Sequence, residues 1–182
     1  MVDVNKEKRK QAVIEVLNKA RAMELHAIHQ YMNQHYNLDN MDYGDMAMKL
    51  KLIAIDEMRH GEMFADRIKE LDGEPTAEAS EPTVKGQKVE DVFVFDANQE
   101  DNTMIMYNQF LLTCRENGDS ISVKLFETII DEEQIHFNYF DNVNAHIAKL
   151  GPVYLAQIAG TPSSTGAPAR GFIAAQSGTT PA

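Results

Sequence analysis

Thiols are nearly absent from this sequence: Cys114 is the only cysteine in 182 residues. One thiol cannot build an internal disulfide framework, a four-cysteine zinc site or a fused rubredoxin-type iron centre, each of which needs several. Long apolar runs are also missing. No uninterrupted stretch approaches the ~18 residues that span a bilayer. The charged start MVDVNKEKRKQ is not followed by the apolar segment of an export signal. The expected setting is a reducing cytoplasm, with no membrane contact. Positive charge is in deficit, with 17 Lys and Arg against 28 Asp and Glu and a net charge of −11. Such a chain repels phosphate backbones, which argues against nucleic acid as a partner. Excess carboxylate can attract cations, although it also serves solubility.

What is present is helical periodicity. Apolar residues spaced by three and four predict four long helices. The first runs from about Lys6 to Leu38, with Val13, Ile14, Leu17, Ile28 and Tyr31 on one side. The second runs from about Tyr43 to Leu71, with Leu50, Ile53, Phe64 and Ile68, and Gly73 follows as a stop. The third covers Val89 to Asn117, with Phe93, Met104, Tyr107 and Leu111. The fourth opens at Asp119 or Ser120, both good N-caps, and ends at Lys149-Leu150-Gly151-Pro152. The segment EPTAEASEPTVKGQK between helices two and three is long and carries two prolines. The other two links are short. That pattern predicts an all-α four-helix bundle of two antiparallel pairs joined by one long crossover. VYLAQIA after Gly151 suggests a short fifth helix. The expected organisation is a bundle over residues 1–159 and a flexible tail over 160–182, rich in Gly, Ser, Thr, Pro and Ala.

Each apolar stripe contains a glutamate. Glu24 lies seven residues after Leu17 and seven before Tyr31, and Glu57 lies seven before Phe64. Glu100 lies midway between Phe93 and Tyr107, and Glu133 midway between Phe126 and Phe140. A lone ionised carboxylate in a bundle core costs several kcal/mol unless compensated, so four at one depth require cations. The flanking apolar residues oppose the alternative of solvated glutamates and surface histidines. Glu57 has His60 at i+3 and Glu133 has His136 at i+3, which puts each pair on one helical face. The halves repeat: Glu24 to Glu57 is 33 residues, as is Glu100 to Glu133. One Glu-x-x-His is weak evidence, but two of them with matched upstream glutamates define a di-metal carboxylate pattern. Carboxylates and imidazoles without thiolate suit iron or manganese. Two divalent ions balance four glutamates, and oxidation to the ferric pair adds charge that an anion derived from O₂ or water can cancel. Glu57 and Glu133 are the candidate bridges, with Glu24 and Glu100 terminal.

On these motifs the chain resembles the ferritin-like superfamily, and bacterioferritins most closely, from roughly Glu7 to Ile158. The strongest stretches are Met23-Glu24-Leu25-His26-Ala27-Ile28-His29-Gln30-Tyr31, Asp56-Glu57-Met58-Arg59-His60 and Asp131-Glu132-Glu133-Gln134-Ile135-His136. The resemblance implies iron storage and a ferroxidase centre of two iron ions per subunit, held by Glu24, Glu57, His60, Glu100, Glu133 and His136. It also implies ferric mineral stored in a hollow cage of 24 subunits, and a ferredoxin-type electron donor for iron release. The bacterioferritin pattern has a methionine directly after the second helix's bridging glutamate. Met58 occupies that position, which implies one haem shared between two subunits and ligated by Met58 from each. About 100° round the helix from Glu57, Met58 turns away from the core. Leu25, His29 and Met32 lie on a similar flank of helix one.

One position departs from the pattern. Where some bacterioferritins carry a histidine five residues before the bridging glutamate, at a cavity-side iron site, this chain has Leu52, although Asp56 remains. A rubrerythrin-like di-iron peroxidase is the competing enzyme class, but it usually needs a multi-cysteine electron-transfer centre. A non-catalytic bundle is opposed by the charged core stripes. Cys114 reads as a packing residue, and His26, His35 and His146 as surface or subunit-contact residues.

Overall fold

The computed structural model describes residues 4–161 and 171–173. Five helices follow in order over residues 4–161: α1 Val4–Asn40, α2 Gly44–Glu70, α3 Val89–Glu116, α4 Ser120–Leu150 and α5 Pro152–Ile158. The predicted boundaries hold to within two or three residues. Among the described residues there is no strand, only an isolated bridge between Tyr43 and Thr161. α1 packs along α2 and α3 along α4, and the crossover joins the two pairs. The bundle therefore has the predicted connectivity.

Two apolar clusters fill the core and leave a polar layer between them. One, with Tyr31, Leu38, Leu50, Ile53, Phe93 and Phe140, also takes up Leu155 of α5 and Phe172. The other gathers Val13, Leu17, Phe64, Tyr107, Phe126 and Ile129. Cys114 is fully buried there, and burial pushes its thiol up to about 12, so it packs as an inert group.

The crossover does not hang free. A polar stripe on α1 ties it down. Asn18 and Arg21 donate to the Glu74 and Thr76 carbonyls (3.0 and 2.9 Å). His26 Nδ1–H donates to the Glu81 carbonyl (2.9 Å), and Gln30 both donates to the Val84 carbonyl and accepts from its N–H (3.1 and 2.8 Å). His26 is thus buried, and so is His35, whose Nδ1–H donates to the Ala47 carbonyl (2.7 Å). The surface reading of these two histidines is corrected: their partners come from the crossover and from α2, which spacing along α1 cannot reveal. His146 is exposed, as expected, and stacks on Tyr154.

α4 starts at Asp119, one of the two predicted caps. Its carboxylate accepts from the Ile121 and Ser122 N–H groups (3.1 and 3.0 Å), and Arg67 Nη2 of α2 donates to both of its oxygens (2.9 and 2.8 Å). Partial burial opposes its ionisation, but the Ser122 N–H and Arg67 prevail and hold the carboxyl below its ordinary range. A depressed carboxylate stabilises the fold above its unfolded-state pKa, and that contribution is lost as pH falls through the folded value. Asp119→Ala should lower the unfolding free energy in urea by about 1–2 kcal/mol at pH 7, with the difference shrinking in acid. Equal stability of the two proteins at pH 7 would contradict the capping role.

Candidate metal centre

The polar layer between the clusters is where the sequence-predicted residues meet. Glu24 on α1, Glu57 and His60 on α2, Glu100 on α3, and Glu133 and His136 on α4 are all buried. They form two overlapping groups. In one, Glu24, Glu57, His60 and Glu133 each offer an atom within 4.8 Å of the others; in the other, Glu57, Glu100, Glu133 and His136 do so. Glu57 and Glu133 belong to both. The repeat of the two sequence halves thus appears in three dimensions as two matched donor groups.

The two imidazoles are oriented alike. His60 Nδ1 lies 2.9 Å from Glu57 Oε2 and 3.2 Å from Glu133 Oε1. His136 Nδ1 lies 3.1 Å from both Glu133 Oε2 and Glu57 Oε1. Each Nε2 faces a carboxylate: His60 Nε2–H donates to Glu132 Oε2 (3.0 Å), whereas His136 Nε2 only approaches Asp56 Oδ2 at 3.5 Å and makes no hydrogen bond with any described residue. A carboxylate behind a histidine fixes its tautomer and leaves the other nitrogen free for a metal. Sequence reasoning passed over Asp56 and Glu132 in this role. A signal was available: each is the acid immediately before a shared glutamate, on the helix facing the histidine it orients.

The upstream glutamates are held across the bundle. Tyr31 of α1 donates its hydroxyl to Glu100 of α3, and Tyr107 of α3 donates to Glu24 of α1. Burial and those carboxylates push both phenols well above the ordinary tyrosine range, so they remain donors. Behind Tyr31, the Gln99 amide donates to its hydroxyl (3.3 Å), and His26 Nε2 faces Gln99 (3.2 Å). That chain ends in the wall of a cavity of about 650 Å³ between α1, α3 and the crossover, lined also by Phe95, Met106 and Phe110. None of the six candidate ligands lines it.

Electrostatics accord with a cation site. Burial, followed by the Glu133 and Glu57 charges, raises Glu24 and Glu100 well above the carboxylate range. Burial works against charging His60 and His136, yet Glu133 beside His60 and Glu57 beside His136 lead the interactions that raise both well above the usual histidine value. Glu133 is buried too, but His60 and His136 pull it well below its ordinary range. Protons and metal ions would therefore compete for the same donor set. Glu57 Oε1 and Glu133 Oε1 accept no hydrogen bond from any described residue although both are buried. Buried acceptors of this kind are costly unless something else binds them. Oxygen and imidazole donors in two groups sharing two carboxylates fit a pair of divalent ions.

Comparison with known proteins agrees with the geometry. A model of the ferritin-like domain matches residues 14–150. The chain is 61% identical over 171 residues to a bacterioferritin of Desulfovibrio desulfuricans, covering 94% of this chain and 96% of that one. A bacterioferritin of Mycobacterium leprae is 33% identical over 153 residues, with 84% and 96% covered. An X-ray structure of the Desulfovibrio desulfuricans bacterioferritin, described for its di-iron site in different catalytic states, superposes with a TM-score of 0.87 at 62% identity, over 92% of this chain and 98% of that one. A Mycobacterium tuberculosis bacterioferritin gives a TM-score of 0.76 at 32% identity, with 81% and 93% covered.

Metal loading must compete with protons at Glu24, Glu100, His60 and His136, whose proton affinities burial and the neighbouring carboxylates raise. Anaerobic addition of Co²⁺ to the metal-free protein at pH 7 should release protons in a pH-stat. Apparent affinity should weaken as pH falls, because protons then compete with the cation. Saturable uptake without proton release would contradict the electrostatic picture.

Proposed function

The chain belongs to the bacterioferritins of the ferritin-like family, and from that premise we propose that it oxidises Fe²⁺ at a dinuclear centre and stores the ferric product. The observation that carries this reading is the pair of overlapping donor groups that share Glu57 and Glu133. In the proposed assignment these two glutamates bridge the iron ions. Glu24 and His60 complete one position, and Glu100 and His136 the other. Iron enters as substrate: two Fe²⁺ give up two electrons, and one O₂ with two protons becomes H₂O₂, or one H₂O₂ with two protons becomes two waters.

The chain's own residues account for the rest of the chemistry. Glu132 keeps His60 turned so that Nδ1 faces the iron position, and Asp56 stands behind His136 on the other side. Tyr31 and Tyr107 hold Glu100 and Glu24 against the site from the opposite helix, which limits reorganisation when the charge on the metals changes. Burial in a dry layer strengthens each of these interactions.

Haem and the assembly belong to the same proposal. Met58 projects from the outer flank of α2 and is 49% exposed. On a helix whose other apolar residues largely face the core, a half-exposed thioether suits a ligand offered to a second copy of the chain. A two-fold contact presents that patch twice, so Met58 of each subunit would hold the haem iron between them. Bound there, the haem would supply one-electron transfer, with thioether ligation raising its potential. The proposed assembly is a cage of 24 subunits built from such dimers, served by a ferredoxin-type donor when iron is released. No helix of the described residues is long and apolar enough to cross a membrane, in keeping with the proposed cytoplasmic location.

Two sets of variants test the reading. Glu57→Ala and Glu133→Ala should each slow Fe²⁺ oxidation by more than about 100-fold, beyond the loss typical of outer-sphere changes, with helical circular dichroism unchanged. Parental oxidation rates in both would overturn the site assignment. Met58→Leu, which preserves apolar volume, should abolish haem binding while iron oxidation continues. Unchanged haem content and spectrum would remove Met58 from the axial role.

A further inference from the structure

The α2–α4 side of the metal site is covered by three residues from beyond α5. Phe172 is only 2% exposed. Its ring lies edge-on to the His136 ring at 6.1 Å and 5.3 Å from Tyr139, and Lys49 Nζ stands 5.4 Å over its face. The backbone N–H of Ile173 donates to Asp56 Oδ2 (3.0 Å). Gly171 sits so close that a Cβ built there would fall 1.7 Å from Asp56 Oδ1. A side chain at position 171 would force either the segment or the Asp56 carboxylate to move.

The segment meets the one outer-sphere carboxylate that differs from its pseudo-symmetric mate. Glu132, behind His60, is partly exposed. Asp56, behind His136, is completely buried, and its oxygens are engaged by the Ile173 N–H, by Arg59 at 3.4 Å and by the approach of His136 at 3.5 Å. Leu52, one turn earlier on α2, packs against the same apolar cluster. A cation reaching or leaving the site across this face would have to displace Phe172 and take Asp56 from its present partners.

We propose that Gly171-Phe172-Ile173 is a plug on the α2–α4 side of the metal site, which holds Asp56 as the positioning carboxylate of His136 and bars cation passage across that face. The proposal rests on the dinuclear site of the preceding section. It assigns the two sides of the bundle different tasks. The α1–α3 side carries the cavity and the hydrogen-bond chain to Glu100, whereas the α2–α4 side opens only when the segment lifts.

The test uses Co²⁺, which does not turn over, bound to the full-length protein and challenged with excess chelator. Gly171→Ala, Phe172→Ala and a chain ending at residue 170 should bind as many Co²⁺ ions per chain as the parent and release them at least tenfold faster. Leu111→Ala, a cavity variant in the other cluster, controls for general loosening and should release Co²⁺ at the parental rate. Parental release rates in all three plug variants would overturn the proposal, as would acceleration in Leu111→Ala equal to theirs. Failure of the parent to bind Co²⁺ at all would instead sink the underlying site assignment, so the two ideas fail separately.

Discussion

The burial of four glutamates at one level of a helical bundle is the constraint from which the rest of the structure follows. Glu24, Glu57, Glu100 and Glu133 are each at most 2% exposed, and carboxylates so placed cannot all be ionised without positive charge among them. In the metal-free protein the site answers by holding protons more tightly: the proton affinities of His60, His136, Glu24 and Glu100 are all raised. The arrangement carries a standing demand for cations, and a pair of divalent ions meets it. A core that keeps such groups gives up stability for function, and the two apolar clusters above and below the layer supply the compensating burial.

Positioning is distributed over α1 to α4. Each ligand histidine is oriented by an acid on the facing helix, and each upstream glutamate is held by a tyrosine from the other helix pair. The same cross-bundle economy explains the polar stripe of α1, which faces the crossover and not the metal. Gln34 reaches beyond it to buried Asp96 (2.7 Å), an acid whose pKa burial raises well above the ordinary range. The long link could have been a slack connection. Stapled to α1, it instead fixes how the two antiparallel pairs meet, and therefore where the halves of the site face each other.

Helix positions, connectivity and the six converging residues were legible in the sequence because they obey one-dimensional rules. Apolar periodicity marks the helices, a long proline-containing link marks the crossover, and the doubled 33-residue spacing marks the pseudo-symmetry. The features that escaped are contacts between elements. His26 and His35 lack site spacing, so they read as surface residues, yet a loop and a neighbouring helix bury them. Asp56 and Glu132 looked like ordinary acids because the histidine each one orients lies across the bundle. Gly171-Phe172-Ile173 sits in a stretch whose composition suggests flexibility, and composition is blind to a single aromatic ring fitting one groove. Most of the expected tail, residues 162–170 and 174–182, lies outside the described residues.

The central claim is that Glu57 and Glu133 are shared by two metal positions, and anomalous diffraction from a crystal loaded anaerobically with Fe²⁺ tests it most directly. The account predicts two anomalous peaks per chain about 3.5–4 Å apart, each touched by Glu57 and Glu133. One should be completed by Glu24 and His60, the other by Glu100 and His136. A single peak, or two peaks that do not share these glutamates, would contradict it.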